Sequence, residues 1–457
     1  MDLSLCLTNS QHITLPRPAT ERSPRALFMK RKKFEQTYSG NANRTITPRA
    51  SARSLRPNFL FNHVITDAPI SPDEALKRLK FEMTRNEVSE IKNYPEIYYV
   101  GTITNKISGI DEPFDDIYHY YRVVTKDQII FRYEIHKTIM KDDYGTFVSA
   151  FDHKDKREVV IQILISTLEM KVWGEAQVER QNLIENPDLH HIMQSLDHFE
   201  FRNHLFFVYE EFGRPVVEYA KTFYFWSSPN RPIDFPPIEI DHVKNIARPI
   251  IEGIRYLHSK NIICGNIGSS SIYEKNGNVR LVNYGYDPYR QALRYRSPEV
   301  IMGLPVDKSS DMFSFALFLI ELINGKPMFN GSTDNEQFAK YIDFLGMVPK
   351  DLLRTSTRAR ELMIPKSGRV RTDRRDMNYR IQSPIHVPGG THVRLEAIDS
   401  RRSDEESFYD LIKKCLDWWP MKRISADEAC RHPWFREDEP KTKKKTTNNL
   451  PALSHKS

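Results

Sequence analysis

The stretch Asp311–Gly325, DMFSFALFLIELING, decides the fold. Its apolar residues run almost all the way round a helix, and its closing glycine suits a left-handed helix C-cap. A helix without a polar face must be buried on every side, so this segment is expected as the central post of a helical domain. Upstream, Asp241–Ser259 places Val243, Ile246, Ile250, Ile254 and Leu257 in one stripe, the spacing of a helix with a single buried face. Downstream, FYDLIKKCLDWW (408–419) reads as a last helix before the closing RHPWF, with Trp418 and Trp419 expected to close the core.

The chain ahead of these helices has a different period. IIFRYEIHKTI (129–139), GTFVSAFDHK (145–154) and EVVIQILI (158–165) alternate with a period near two between polar turns, which predicts a three-strand antiparallel meander. HLFFVYEEF (204–212) reads as one long strand or two short ones, and residues 170–186 as a helix. Ser71, Pro72, Asp73 and Glu74 open a further helix in the order cap, proline, acid, acid. YPEIYYVG (94–101) reads as extended. The fold class is therefore α+β, a small antiparallel β lobe followed by a larger helical lobe.

Composition sets the frame around this. The chain has 457 residues, 39% hydrophobic and 28% charged, enough for a sizeable core. No apolar run approaches the ~18 residues of a membrane helix. Cys6, Cys264, Cys415 and Cys430 are too scattered for a disulfide framework or zinc site, which points to a reducing compartment, cytoplasmic or nuclear. Residues 1–70 carry 11 basic and 4 acidic residues, and 440–457 carry 5 basic and none acidic. The body, 71–439, holds 51 basic against 56 acidic, a net of −5. The basicity sits in the ends, so nucleic acid is not expected as a partner beyond those tails, and no membrane partner is expected. The first 70 residues are polar, proline-containing and without period, and are expected to be disordered. Within them Lys30–Lys33 fits an import signal, and Ser23-Pro24 and Thr47-Pro48 fit proline-directed phosphorylation.

With these segments in place, YRSPEVIMG (295–303), the helix Asp311–Gly325 and KRISADEACRHPWF (422–435) resemble the C-terminal lobe of eukaryotic protein kinases, over about residues 133–436. DHFEFRNHLFF (197–207), KDQIIFRYEI (126–135) and YPEIYYVG are similar to the dual-specificity tyrosine-regulated (DYRK) family, the last to the accessory region of its second class. The resemblance implies an accessory region and DYRK box at 71–132 and a kinase-like domain at 133–436. Its N-lobe would span about 133–212, and its C-lobe 213–436 with a surface insert at 351–405. A basic tail, 437–457, follows. It also implies structural roles: Glu299 paired with buried Arg423, and Asp311 holding the catalytic-loop backbone.

The same resemblance implies that the chemistry is gone. Phosphoryl transfer needs glycines that let backbone approach phosphates, a lysine on the α- and β-phosphates, a hydroxyl-orienting carboxylate and metal-binding groups. In MKDDYG, Met140 and Asp142 replace the first two glycines and Gly145 remains; Asp142 and Asp143 would repel a triphosphate. Gln162 replaces the lysine, and Glu179 (or Glu175) takes the place of its glutamate partner. In IICGNIGSSSIY, Cys264 replaces the histidine, Asn266 the catalytic aspartate, Gly268 the loop lysine and Ser271 the metal-binding asparagine. In RLVNYG, Asn283 replaces the metal-binding aspartate and Tyr284 the phenylalanine. Tyr209 falls at the gatekeeper and Glu210 at the hinge. Only ten residues separate Gly285 from Arg296, and Tyr289 falls at the position of the family's phosphorylated tyrosine, with Arg296 as phosphate partner; packing alone also explains Tyr289. His258, at a helix end, reads as a structural hydrogen-bonder.

The resulting expectation is a catalytically impaired kinase homologue acting as a scaffold or regulator through protein partners, including those of an active relative, with no cofactor. The alternative is weak or unconventional ATP- and Mg-dependent phosphotransfer; a nucleotide-sensing switch is a third reading.

Overall fold

A computed structural model of the chain describes residues 65, 67–101, 106–107, 113–221, 240–364, 369–370 and 403–436. The import cluster, both proline-directed sites, almost all of the N-terminal tail and the tail 437–457 lie outside the described residues. Order begins before Ser71: Ile65 and Ile70 are buried, and Ile70 pairs with Ile97 in YPEIYYVG. Burial of these isoleucines overrides the polar composition around them.

Two helices open the described chain, α1 (Pro72–Leu79) and α2 (Arg85–Glu90). Ser71 caps α1 by accepting from the Glu74 N–H at 3.2 Å, and Thr84 with Glu87 forms a capping box on α2. Buried Lys106 ties this region together by donating to Glu87 Oε2 at 2.8 Å. Arg202 joins it to the sheet through two bonds to Glu90, at 2.9 and 3.0 Å, and one to Tyr121 Oη.

The sheet comprises β1 (Gln128–Ile129), β2 (Tyr133–Lys141), β3 (Gly145–Asp152), β4 (Arg157–Leu164), β5 (Asp197–Phe201) and β6 (His204–Glu210), with α3 (Leu168–Asn182) between β4 and β5. The spatial order is β1-β2-β3-β4-β6-β5, antiparallel at each pairing. Period two sorts the side chains. Val148, Ala150, Val159, Ile161, Phe206 and Val208 pack on one face with Tyr121 and Tyr133. Phe147, Val160, Leu164, Phe207 and Tyr209 fill the other, beneath α3. DHFEF, which the sequence reading left without a structural role, is the edge strand β5.

The helical lobe follows. Here β7 (Arg214–Pro215), β8 (Ile272–Lys275) and β9 (Asn278–Leu281) form a small antiparallel sheet. Around it lie α4 (Ile240–Ser259), α5 (Pro298–Met302), α6 (Ser309–Asn324), α7 (Asp334–Leu345), α8 (Ser403–Cys415) and α9 (Ala426–Cys430). α6 is buried from Ser310 to Leu322 and ends on Gly325 at φ 66°, as its sequence requires. The stripe of α4 packs in the same core. This is the two-lobe architecture of a protein kinase.

The surface insert expected at 351–405 is only partly described, and its first part is not a free loop. Leu352, Leu362 and Met363 are buried, and Arg358 donates to Asp334 Oδ2 at 2.9 Å. Residues 365–368 and 371–402 lie outside the described residues.

Arg423 and Glu299 meet as expected, bidentately at 2.7 Å for both bonds, and both side chains are at most 1% exposed. Arg423 also donates to the Asp417 and Ser309 carbonyls, so its guanidinium is well satisfied without water. Removing one partner strands a buried charge. Glu299→Gln is expected to lower unfolding stability by ~3–5 kcal/mol in urea titration, while the apolar pair Glu299→Leu/Arg423→Met recovers most of it.

Candidate functional site

The interlobe site is built on one buried carboxylate. Asp311, 2% exposed near the start of α6, accepts from the N–H groups of Cys264 and Gly265 at 2.8 and 2.9 Å and bonds His258 Nε2 at 2.8 Å. This is the role expected of Asp311 and explains His258. It holds Gly265 at φ +71°, where a Cβ would lie 2.0 Å from the Tyr286 carbonyl oxygen. The segments Ile263–Gly265 and Gly285–Tyr286 then run together, Gly285 and Tyr286 donating to the Ile263 and Cys264 carbonyls at 3.1 Å each.

The two aligned metal positions do not offer a metal site. Ser271 Oγ is engaged by its own loop: it bonds the carbonyls of Asn266 and Gly268 and accepts from the Gly268 N–H. Asn283 is 3% exposed and its Nδ2 has no hydrogen-bond partner among the described residues. A hydroxyl consumed by backbone and a neutral amide donor do not fit magnesium, which favours charged oxygen ligands. Asn266 is half-buried in the same loop, neutral, and without the basicity of a carboxylate.

Across the cleft, Gln162 is 1% exposed on β4. Its Nε2 donates to Tyr286 Oη at 2.9 Å, and its Oε1 accepts from Tyr209 Oη at 3.4 Å. Burial pushes both phenols well above their ordinary range, so both remain neutral. The glutamate partner expected for position 162 is not there: Glu179 and Glu175 both lie on the exposed face of α3. The inward residues are Gln177, which donates to the Tyr284 carbonyl at 3.0 Å, and Gln181, which donates to Tyr209 Oη at 3.4 Å. Trp173 Nε1 adds a bond to the Gly285 carbonyl at 3.1 Å. Neutral groups thus make these hydrogen bonds between α3 and the NYG segment, with Arg180 packed beside Gly285.

Aromatic rings occupy the space between these bonds. Tyr286 lies 4.2 Å from Tyr144 and 5.2 Å from Trp173, centroid to centroid. Toward the hinge, Phe212 contacts Phe147, Tyr209 and Tyr273 at 6.1, 5.7 and 5.2 Å. All but Trp173 are buried. Beside Glu210, which is exposed and near Arg280 at 3.6 Å, lies a cavity of about 180 Å³ lined by Met193, Phe212, Tyr273 and Lys275. Tyr286, Tyr144, Trp173, Gln177, Phe147, Phe212 and Tyr273 escaped the sequence reading; the available signal was bulky aromatics beside the motif positions, as in KDDYG and NYGY.

The MKDDYG loop closes over this plug. Asp142 does not face outward: its Oδ1 accepts from the Tyr144 and Gly145 N–H groups at 2.9 and 3.0 Å. Gly145 is required by packing, since a Cβ there would sit 2.0 Å from the Ile163 carbonyl oxygen. Asp287 N–H donates to Tyr144 Oη at 2.7 Å, and Arg290 bridges Glu169 at 2.5 Å and the Asp143 carbonyl at 3.2 Å. Tyr289 is half exposed and donates to the Leu304 carbonyl at 3.0 Å. Arg296, expected as its phosphate partner, is engaged by Asp334 at 3.1 Å and the Gln291 carbonyl at 2.7 Å.

Burial pushes the Asp142 carboxyl up to about 6, against the pull of its two N–H donors. A folded-state value above the unfolded one favours the protonated form. Its ionisation costs stability progressively as pH rises from about 4 to 6, and the cost persists above that. Asp142→Asn keeps an acceptor for both N–H groups and removes the charge. It is expected to raise the melting temperature at pH 7.5 by several degrees and to change it little at pH 4, by scanning calorimetry.

Comparison with known proteins places this geometry. The protein kinase domain family model matches residues 133–435. Dual specificity tyrosine-phosphorylation-regulated kinase 3 of Rattus norvegicus is 28% identical over 409 residues, covering 82% of this chain and 66% of the relative. Dual specificity tyrosine-phosphorylation-regulated kinase 4 of Homo sapiens is 26% identical over 417 residues, covering 84% and 75%. The probable serine/threonine-protein kinase dyrk2 of Dictyostelium discoideum is 28% identical over 391 residues, covering 80% and 40%. The chain therefore spans just under two thirds of the length of the rat relative. By its two lobes, its buried Glu299–Arg423 and Asp311 anchors and this match, the chain belongs to the protein kinase domain family and is DYRK-like in sequence.

Proposed function

We propose that this DYRK-like chain is a pseudokinase that works by presenting a closed kinase surface to protein partners in the cytoplasm or nucleus. The observation that carries the reading is the Gln162–Tyr286 bond with its aromatic surroundings. A neutral pair stands where a cation would meet phosphates, and tyrosine, tryptophan and phenylalanine rings fill the space a nucleotide would use. Gln177, Trp173 and Arg290 hold α3 against the NYG segment, a closure that in an active kinase depends on nucleotide and metal or on loop phosphorylation. The protein reaches that closed arrangement with its own side chains.

The kinase names of the relatives favour a second reading, weak or unconventional phosphotransfer to serine, threonine or tyrosine. The two separate cleanly. A nucleotide that binds only the folded state raises the melting temperature by mass action. Full-length protein is expected to show no shift with MgATP at millimolar concentration, and no transfer of labelled phosphate to itself or to a generic substrate above the level of Asn266→Ala. A saturable shift together with transfer abolished in Asn266→Ala would establish the enzymatic reading instead.

A further inference from the structure

A hairpin at 114–122 lies across one end of the N-lobe sheet. Asp115 bridges Tyr121, and the Arg122 N–H donates to the Phe114 carbonyl at 2.7 Å. Asp116 Oδ1 fills the turn by accepting from the Tyr118 and Tyr120 N–H groups at 2.9 and 3.0 Å. The hairpin then touches one strand end after another. Tyr120 Oη donates to the Asp142 carbonyl in the MKDDYG loop at 2.8 Å, with Lys141 over its ring at 5.1 Å. Ser166, just past β4, donates its N–H to the His119 carbonyl at 3.0 Å and its hydroxyl to Asp115 Oδ2. At the start of β6, His204 meets Asp115 Oδ1 through Nε2 at 2.7 Å and the Leu164 carbonyl through Nδ1 at 2.6 Å. His204 is 1% exposed.

The His204 contacts do not balance with an ordinary set of protons. A neutral imidazole has one N–H and one lone pair, whereas carbonyl and carboxylate oxygens only accept. Here both ring nitrogens face such oxygens. Either the ring carries two protons, or the Asp115 carboxyl carries one and donates it to Nε2. In both arrangements the pair holds one proton beyond a neutral ring beside a carboxylate. Other charges stand further off. Tyr121 presents its ring edge to the imidazole at 5.2 Å, and its hydroxyl accepts from Arg202, which pairs with Glu90 at 2.9 Å. Lys171, Glu175 and Glu200 line the groove beside Ser166, and Lys171 pairs with Glu200 at 3.5 Å. Among the described residues, Asp115 is the charged side chain in contact with the ring. We infer that the His204–Asp115 pair is a proton-operated latch: with its proton the hairpin 114–122 holds the MKDDYG loop down over the cleft, and without it hairpin and loop come free. When base removes that proton, Nε2 and Oδ1 become two acceptors facing each other, and their bond is lost. The proton stabilises the fastened hairpin at low pH, and that stabilisation disappears as pH rises through the range where histidines discharge. The inference goes beyond the pseudokinase reading, since the latch acts on the loop whatever fills the cleft below.

The test follows hydrogen exchange of the full chain at pH 6 and pH 8.5, with each rate divided by the intrinsic rate at that pH. Protection of 114–122 and of 140–146 is expected to fall together by about tenfold at the higher pH, while that of α6 stays unchanged. In Asp115→Asn the amide donates to a neutral ring and its oxygen accepts from Ser166, so the bonds remain without the extra proton. Both segments are expected to be equally protected at the two pH values in that variant. Asp142→Asn is expected to retain the fall, which separates the latch from titration of the loop's own carboxyl. Tyr120→Phe is expected to keep the fall in the hairpin and lose it in the loop. No fall in the wild type, a fall that persists in Asp115→Asn, or one that vanishes in Asp142→Asn overturns the proposal. A wild-type fall confined to the hairpin, or a loop fall that survives Tyr120→Phe, also overturns it, because the loop then does not follow the latch. The MgATP shift is measured separately, so the latch and the pseudokinase reading fail by different results.

Discussion

The Asp311 carboxylate is the constraint from which the rest of the interlobe structure follows. Buried near the start of an all-apolar helix, it is tolerable only if its oxygens are filled, and two backbone N–H groups and His258 fill them. Those bonds fix Cys264 and Gly265, Gly265 admits the Tyr286 backbone at close range, and the Tyr286 ring is carried up into the N-lobe to reach Gln162. One buried carboxyl in the helical lobe therefore helps set what stands in the cleft.

Above that anchor the coupling between the lobes is mostly uncharged. Gln162, Gln177, Tyr144 and Trp173 make amide, phenol and indole bonds across it, with the ion pairs Arg290–Glu169 and Arg280–Glu210 at the rim. Buried neutral hydrogen bonds avoid the desolvation cost that a lysine–glutamate pair would carry here. Uncharged bonds are also little affected by salt. An interface of this kind suits a molecule whose closed form is its working form.

The fold was legible because its signals are long and local. An all-round apolar 15-mer, a single-stripe 19-mer and period-two strands leave few alternatives; the two helices, β3 and β4 formed within about two residues of expectation, while 129–139 split between β1 and a β2 that begins at Tyr133. The substitutions at 162, 266 and 283 were equally legible, since each removes the charge of a motif position, and that at 271 exchanges an amide for a hydroxyl. The fill of the cleft was not, because it depends on which way Tyr286, Trp173 and Phe212 point after the lobes meet. Glu179 was misread for a related reason. Spacing from Gln162 did not fix the rotation of α3, and the packing of Gly174 against Leu205 turned Gln177 inward instead. Asp142 looked like an outward repulsive charge because a short turn hides its N–H donors, Tyr144 and Gly145, from sequence inspection.

The close approach at Gly265 has an evolutionary meaning. With the backbone left-handed there and the Tyr286 oxygen pressed against it, any side chain at 265 would force two strands of the cleft apart. Restoring the lost lysine and aspartates one by one would leave this contact, and the rings behind it, in place. On the pseudokinase reading proposed above, regaining phosphate transfer would require reshaping this backbone as well as replacing side chains.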